Sequence, residues 1–192
     1  MSNERPGSRT RINLLLMAAV AILPMLAAYA VYYVWRPTTF TNYGELITPT
    51  PIADIVMRQP DGKELKLAAF KGKWVFLIVD SGSCDEFCKR KLYDMRQVRL
   101  TQGKDMDRIE RVWLIDDNQQ PSSAVTSEYE GTHMLTAQGS PLLSRLPAER
   151  SVRDHIYIID PLGNLMMRYP RDADPSKIKK DVVKLLKVSR IG

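Results

Sequence analysis

The sequence predicts an α/β sandwich with a central sheet and helices on both faces, preceded by one N-terminal membrane-spanning helix. Three observations support this prediction. An uncharged apolar run lies near the start of the 192-residue chain. Short continuous apolar segments of strand length recur in the remainder, and segments with helical periodicity alternate with them. Such alternation is typical of a sheet that is covered by helices.

The apolar run INLLLMAAVAILPMLAAYAVYYVW covers residues 12–35 and carries no charge. At about 1.5 Å of rise per residue, a helix of this length crosses a hydrocarbon core of roughly 30 Å. Three arginines precede the run and only Arg36 follows it closely. Because the more positive flank stays on the cytoplasmic side, we expect a cytoplasmic tail at residues 1–11 and a transmembrane anchor at residues 12–35.

A cleaved signal peptide is the alternative interpretation of this run. Ala28-Tyr29-Ala30 has the small-x-small form of a cleavage site. The apolar run continues past these alanines to Trp35, however, and its length suits a membrane span better than a signal peptide. We therefore favour a single-pass protein of the bacterial inner membrane with a periplasmic C-terminal domain. Both interpretations export the rest of the chain.

The exported part is only mildly basic. The formal net charge of the chain is +6, and four arginines and one glutamate in the first 36 residues supply half of it. We expect contact with the lipid bilayer through residues 12–35 and no nucleic-acid partner. The length that remains is enough for one domain with its own hydrophobic core.

The first half of the exported part alternates turn-rich segments with short strands. Residues 36–53 are rich in proline and threonine and predict an extended linker. Strands are predicted at Ile55–Met57 and Glu64–Leu67, joined by a turn at Asp61-Gly62. The continuous apolar run Trp74–Val79 then predicts a buried central strand.

The domain itself is predicted to cover residues 54–192, and its second half alternates helices with strands. Apolar residues at helical spacing predict a helix from about Cys84 to Gln102, immediately after the central strand. The other predicted elements are a strand at Arg111–Ile115, a helix at Ser122–Glu130, an irregular region at 131–150 with a short helix near Leu142–Leu146, strands at Ile156–Ile159 and Leu165–Tyr169, and a helix begun by Asp174 and Pro175.

Both cysteines of the chain, Cys84 and Cys88, lie in the segment DSGSCDEFCKRKL that follows the predicted central strand. Ligands of open α/β sheets bind at such strand-to-helix junctions. A spacing of four residues places both sulfurs on one face of a helix, close enough to form a bond or to share one ion. The helix N-terminus favours a thiolate, whereas Asp85 and Glu86 oppose it.

A purely structural disulfide is the alternative for this pair. It closes a very small loop, so the loss of chain entropy stabilises the fold little. A domain of this length also builds a sufficient core without a disulfide. We therefore favour a chemical role, in which Cys84 and Cys88 act as a redox pair or bind a metal.

A metal site at the cysteines requires a further ligand. Thiolates select soft metals such as Cu(I), and two sulfurs leave the metal under-coordinated. The chain has only two histidines, His133 and His155. His155 precedes a predicted strand of the same sheet, and Asp154 is suited to orient its ring. We therefore predict that the two cysteines and His155 are metal ligands, with a histidine that binds no metal as the alternative. His133 is the weaker candidate.

At this point the chain resembles a known family. The N-terminal anchor, the linker, the segment LAAFKGKWVFLIVDSGSC, the C-x-x-x-C pair and the segment DHIYIIDPLGNL resemble the Sco family of copper-binding cytochrome c oxidase assembly proteins. The wider resemblance, over most of residues 52–188, is to thioredoxin-like folds. Thioredoxins use C-x-x-C, so the C-x-x-x-C spacing is the most specific point of resemblance to the Sco family.

The resemblance implies a thioredoxin-like sandwich with a central mixed sheet, facing the periplasm. It implies that Cys84 and Cys88 bind copper, or act as a dithiol on the copper site of the oxidase. His155 is the nearest match to the Asp-His motif of the family. The implied partner is a subunit of a respiratory cytochrome oxidase or one of its assembly factors.

Three functional hypotheses follow. The leading one is a membrane-anchored, Sco-like factor that assists oxidase assembly by copper delivery or by thiol redox. The second is a periplasmic thiol–disulfide oxidoreductase without a metal. The third is a non-catalytic, membrane-tethered binding module in which the cysteines form a structural bond. Only copper binding requires His155, whereas both chemical hypotheses require Cys84 and Cys88.

Overall fold

The structure is a computed structural model that describes residues 7–34, 42–189 and 191. The chain divides into two units, Met1–Thr41 and Asn42–Gly192. The first unit contains one helix, α1 (Ser8–Val34). Its segment Arg11–Tyr33 has a mean hydropathy of 2.4 and is long and apolar enough to cross a membrane. The predicted helix is thus present, although the predicted end at Trp35 lies outside the described residues.

The second unit is built on one mixed sheet of eight strands. The strands are β1 (Glu45–Pro51), β2 (Val56–Arg58), β3 (Glu64–Lys66), β4 (Trp74–Asp80), β5 (Ile109–Ile115), β6 (Thr132–Thr136), β7 (Ile156–Ile159) and β8 (Asn164–Tyr169). Their order is β1-β8-β7-β4-β5-β6-β2-β3. β4 is parallel to β5 and antiparallel to β7, and each of its residues is buried, as predicted for the central strand.

Three further helices pack on one face of this sheet. They are α2 (Glu86–Leu100), α3 (Ser123–Glu128) and α4 (Pro175–Val188), and all three contribute to a core that includes Phe76 and Ile78 of β4. The alternate β4 residues Val75 and Leu77 face a second core on the opposite side. Two 3-10 turns, Leu67–Phe70 and Leu143–Arg145, contribute to that second core in place of α-helices. The sandwich with a central mixed sheet is therefore confirmed. The prediction of helices on both faces was wrong, because α2, α3 and α4 all pack on one face and short 3-10 turns lie on the other.

The prediction of a linker at residues 36–53 was wrong for its C-terminal part. Residues 45–51 form β1, an edge strand that pairs antiparallel with β8. Proline is tolerated at an edge because one side of the strand makes no ladder hydrogen bonds. The prolines of this segment therefore do not exclude a strand, although they are also typical of a linker. The carboxylate of Asp181 on α4 accepts hydrogen bonds from the amides of Tyr43 (2.9 Å) and Gly44 (2.8 Å), and so fixes the approach to β1.

The prediction of an irregular region at residues 131–150 was also wrong in part. Residues Thr132–Thr136 form β6, which runs parallel to β5. Only Leu135 of this strand is buried, so the segment THMLT lacks the continuous apolar run that identified β4. The predicted β2–β3 hairpin is present, and Gly62 at its turn adopts the positive φ of +83° that favours glycine.

The contact of Asp181 with the chain ahead of β1 yields a stability prediction. Asp181→Ala leaves two amides without their charged acceptor, so we expect the free energy of unfolding to fall by about 2–4 kcal/mol. Denaturant unfolding of the full-length protein in detergent measures the change. Asp172→Ala, at an exposed carboxylate near the start of the same helix, is the control. Equal losses in both variants would contradict this role of Asp181.

Candidate redox site

Cys84 and Cys88 are joined by a disulfide where β4 leads into α2. Their Cα atoms lie 5.1 Å apart. Cys84 is 2% exposed and Cys88 is fully buried in the core between the sheet and α2. The two predicted site residues are therefore brought together, and the remaining question is which groups control their chemistry.

Cys84 lies outside the helix, contrary to the predicted helix start. α2 begins at Glu86, after the capping residue Asp85. Cys84 has φ = +46° and is the one non-glycine residue with positive φ in the described part of the chain. This left-handed conformation costs an ordinary residue about 1–2 kcal/mol. Cys84 thus reaches Cys88 from a loop, and not from the preceding turn of a helix.

The loop that carries Cys84 is held by the segment that follows β5. The amide of Gly82 donates to the carboxylate of Asp117 over 3.0 Å. A Cβ atom at residue 82 would lie 1.9 Å from the carbonyl oxygen of Gln119, so only glycine fits there. The Cys84 amide donates to the carbonyl of Ser81 over 3.1 Å and closes the turn. No sequence pattern identified Asp117 in this role.

Asp85 places a negative charge at the N-terminus of α2. Its Oδ1 accepts a hydrogen bond from the amide of Cys88 over 2.9 Å. Free amides and the helix dipole at this position would otherwise stabilise a cysteine thiolate. The Asp85 carboxylate takes the hydrogen bond of the Cys88 amide, which is then not available to a thiolate. Its own negative charge also opposes a second negative charge on either sulfur. Asp85 therefore disfavours the thiolate that reduction of the disulfide would release.

A buried ion pair joins the residues on either side of the two cysteines. Nζ of Lys91 on α2 lies 2.8 Å from Oδ2 of Asp80, the last residue of β4, and both side chains are less than a tenth exposed. Lys91 also donates to the carbonyls of Val79 (3.2 Å) and Arg153. Burial lowers the pKa of Lys91, although Asp80 acts in the opposite direction. The ion pair was not predicted from the sequence. A lysine at a buried position of a predicted helix is a signal that could have identified it.

The structure does not bring His155 to the disulfide. Its Nδ1 lies 2.8 Å from the carbonyl oxygen of Tyr169, and its ring packs against Tyr157. Side chains alternate along a strand, and in β7 it is Ile156 that shares a core with the cysteines, whereas Tyr157 faces the other core. The carboxylate of Asp154 pairs instead with Arg171 over 2.7 Å.

The described residues contain no group of three histidine, cysteine or acidic side chains arranged to hold a metal ion. His133 lies on β6 and approaches Glu110 to 3.2 Å. The two cysteine sulfurs are bonded to each other, which leaves neither as a thiolate ligand. The described side chains therefore do not fit a three-ligand copper site in this disulfide form, but they do form a thiol–disulfide couple.

Comparison with family models identifies both units of the chain. The model described as the transmembrane-like, thioredoxin-like C-terminal domain matches residues 74–189. The model described as the transmembrane-like N-terminal domain matches residues 5–34, which supports a membrane anchor. No curated protein sequence matches the chain.

Solved structures with the same fold include Sco proteins and a thiol–disulfide oxidoreductase. Apo Sco1 from Thermus thermophilus is 16% identical with a TM-score of 0.54, over 78% of this chain and 98% of that chain. Copper-bound yeast Sco1 is 16% identical with a TM-score of 0.56, over 74% and 96%. The thioredoxin domain of an oxidoreductase from Bacteroides vulgatus is 17% identical with a TM-score of 0.54, over 73% and 99%.

These similarities confirm the thioredoxin-like fold, and they confirm the resemblance to Sco proteins at the level of the fold. The chain belongs to the family of transmembrane-like proteins with a thioredoxin-like C-terminal domain, and it shares the fold of the Sco proteins.

Proposed function

We propose that this protein is a membrane-anchored thiol–disulfide redox factor that acts on the cysteines of a respiratory oxidase copper site, or on an assembly factor of that oxidase. One observation carries the proposal: the only two cysteines of the chain form a disulfide at the junction of the central strand and α2. The fold shared with Sco proteins supports the oxidase as the partner. The N-terminal helix supports action at a membrane.

The proposed reaction reduces a disulfide of the partner. In the dithiol form, the Cys84 thiolate attacks one partner sulfur, which forms a mixed disulfide and releases the other partner sulfur as a thiolate. Cys88 then attacks Cys84, which re-forms the Cys84–Cys88 bond and releases the first partner sulfur. Two electrons pass to the partner, and the two protons of the dithiol end on its thiols. We assign the attack to Cys84 because it lies in the loop ahead of α2, whereas Cys88 lies within the helix and is fully buried.

We place the domain in the periplasm of a bacterial inner membrane, with the N-terminus in the cytoplasm. The three arginines ahead of the apolar run at residues 12–35 support this orientation. An intramolecular disulfide also suits an oxidising compartment, since the cytosol keeps thiols reduced. Regeneration of the dithiol then requires a thiol reductant on the periplasmic side of the membrane.

Copper delivery is the second candidate function. Sco structures with bound copper share the fold, which supports this candidate. Reduction would free two thiolates, which are suitable Cu(I) ligands. His155 remains the candidate third ligand, but its ring would have to leave the Tyr169 carbonyl and turn away from Tyr157. The geometry therefore favours redox chemistry over a preformed copper site.

The redox proposal predicts that both cysteines are essential. Pre-reduced full-length protein in detergent should reduce an oxidised peptide that carries the two cysteines of an oxidase copper site. Cys84→Ser and Cys88→Ser should each lower turnover at least tenfold, because neither can complete the exchange. Ser83→Ala, beside Cys84, is the matched control and should keep its activity. Activity that survives in both cysteine variants would make the disulfide structural.

Copper binding is tested by titration of Cu(I) into the fully reduced full-length protein against a chelator of known affinity. We expect weak binding that is lost in Cys84→Ser/Cys88→Ser and unchanged in His155→Ala, because His155 faces away from the sulfurs. Tight one-to-one binding that is lost in both variants would instead identify a copper carrier with His155 as its third ligand.

Asp85 should tune the redox couple. Asp85→Asn keeps an oxygen that can accept from the Cys88 amide but removes the negative charge. We expect the equilibrium with glutathione to shift about tenfold toward the dithiol, a change of about 30 mV for this two-electron couple. The pKa of the reduced thiols should also fall.

Glu86→Gln is the control for Asp85→Asn. Glu86 is an exposed neighbour that is paired with Lys89 at 2.7 Å and does not cap the helix. Its removal should change the equilibrium far less. Equal shifts in the two variants would show that general charge, and not the cap, sets the potential.

A further inference from the structure

A cleft of about 450 Å³, termed here the arginine cleft, lies between α2, β5 and the segment that joins α3 to β6. Arg111 lies in the N-terminal half of β5, whereas the disulfide follows the C-terminal end of the parallel strand β4. The cleft is thus separate from the redox site. Its charged lining consists of Arg96, Arg99, Arg111, Glu110, Glu128 and Glu130, together with His133.

Arg111 is a buried cation without a charged partner. It is 5% exposed, and Nη2 donates to the carbonyl oxygen of Glu130 over 2.6 Å. Its Nε and Nη1 atoms are buried and make no hydrogen bond, and the same holds for Oγ1 of Thr132, its neighbour across the β5–β6 pair. Buried guanidinium groups are normally paired, because an isolated charge in a poorly solvated position is unfavourable. Within the described residues, Arg111 therefore lacks acceptors for Nε and Nη1.

Arg96 and Arg99 place further positive charge near Arg111. Arg96 donates to the carbonyl of Glu128 over 3.1 Å. Arg99 donates to the carbonyl of Ile109 over 2.8 Å and pairs with the exposed carboxylate of Asp107 over 3.2 Å. Burial, and then the positive charges of Arg99 and Arg96, lower the pKa of Arg111 to about 10. Three guanidinium groups therefore line one cleft, and two of them destabilise the charge of the third.

The carboxylates of the cleft do not satisfy Arg111. The Glu110 carboxylate lies 3.2 Å from Nε2 of His133, and its charge offsets only part of the lowering of the Arg111 pKa. Glu128 and Glu130 are exposed, and within the described residues neither forms an ion pair with Arg111 or Arg96. They make the rim acidic, so the cleft disfavours an extended polyanion such as a nucleic acid and favours a small, compact one.

We propose that the arginine cleft binds a phosphate monoester, with Arg111 at its floor and Arg96 and Arg99 beside it. Planar guanidinium groups donate paired hydrogen bonds to phosphate oxygens, and a dianion compensates the charges that repel one another there. The monoester belongs either to a soluble metabolite or to a lipid headgroup, which share this chemistry.

The first test is calorimetric titration of inorganic phosphate into the full-length protein in detergent, with chloride at matched ionic strength as the blank. We expect saturable one-to-one binding. Arg111→Lys, which lacks the planar fork, and Arg96→Gln should each weaken it at least tenfold. Arg145→Gln, at an exposed arginine near Pro51, should leave it unchanged. Absence of saturable binding, or equal weakening by Arg145→Gln, would overturn the proposal.

Arg96→Gln keeps the test decisive if Arg111→Lys does not fold. Arg96 is half-buried and donates to a backbone carbonyl, so we expect its replacement to leave the fold intact. Two competitors then separate the sources of the monoester. Glycerol 3-phosphate that displaces phosphate, with no effect of phosphatidate, identifies a soluble ligand. Displacement by nanodiscs of phosphatidylcholine with phosphatidate, but not by phosphatidylcholine alone, identifies a headgroup. Failure of both competitors would overturn the assignment to a monoester.

Discussion

The ion pair between Asp80 and Lys91 fixes the geometry on which the disulfide depends. It joins the last residue of the central strand to the first half of α2, on either side of the two cysteines. Removing one partner of such a buried pair costs about 3–5 kcal/mol, because the other charge is left without compensation. The pair therefore holds α2 against the end of β4, where Cys84 and Cys88 can meet. A strand end and a helix that were free to separate would not define this distance.

The same pair connects the disulfide to two further loops. The carbonyl of Arg153 accepts from Lys91, and the guanidinium of Arg153 makes two hydrogen bonds to Asp116, at 2.9 and 2.7 Å. The next residue, Asp117, holds Gly82 of the cysteine loop. The segments after β4, after β5 and before β7 thus meet at one edge of the sheet. A redox partner that approaches Cys84 would meet a surface made by all three.

The sequence predicted the elements whose signal is local, and it failed where the tertiary structure decides. The apolar run of β4 and the Asp174 cap of α4 identified their elements correctly, since burial on both faces and helix capping leave direct patterns. β1 was missed because proline at an edge resembles a linker, and β6 because it is only partly buried. His155 lies immediately before β7, at the predicted edge of the sheet. The alternation that directs Ile156 into the core of the cysteines directs the His155 side chain to the other face in this disulfide form.

The disulfide also bears on both proposed reactions, thiol–disulfide exchange and copper binding. Cysteine sulfurs that are bonded to each other are not thiolates, so the oxidised protein cannot use them to hold Cu(I). The disulfide must therefore be reduced before these sulfurs can act as thiolate ligands. The Asp85 carboxylate at the Cys88 amide opposes a thiolate at that first step.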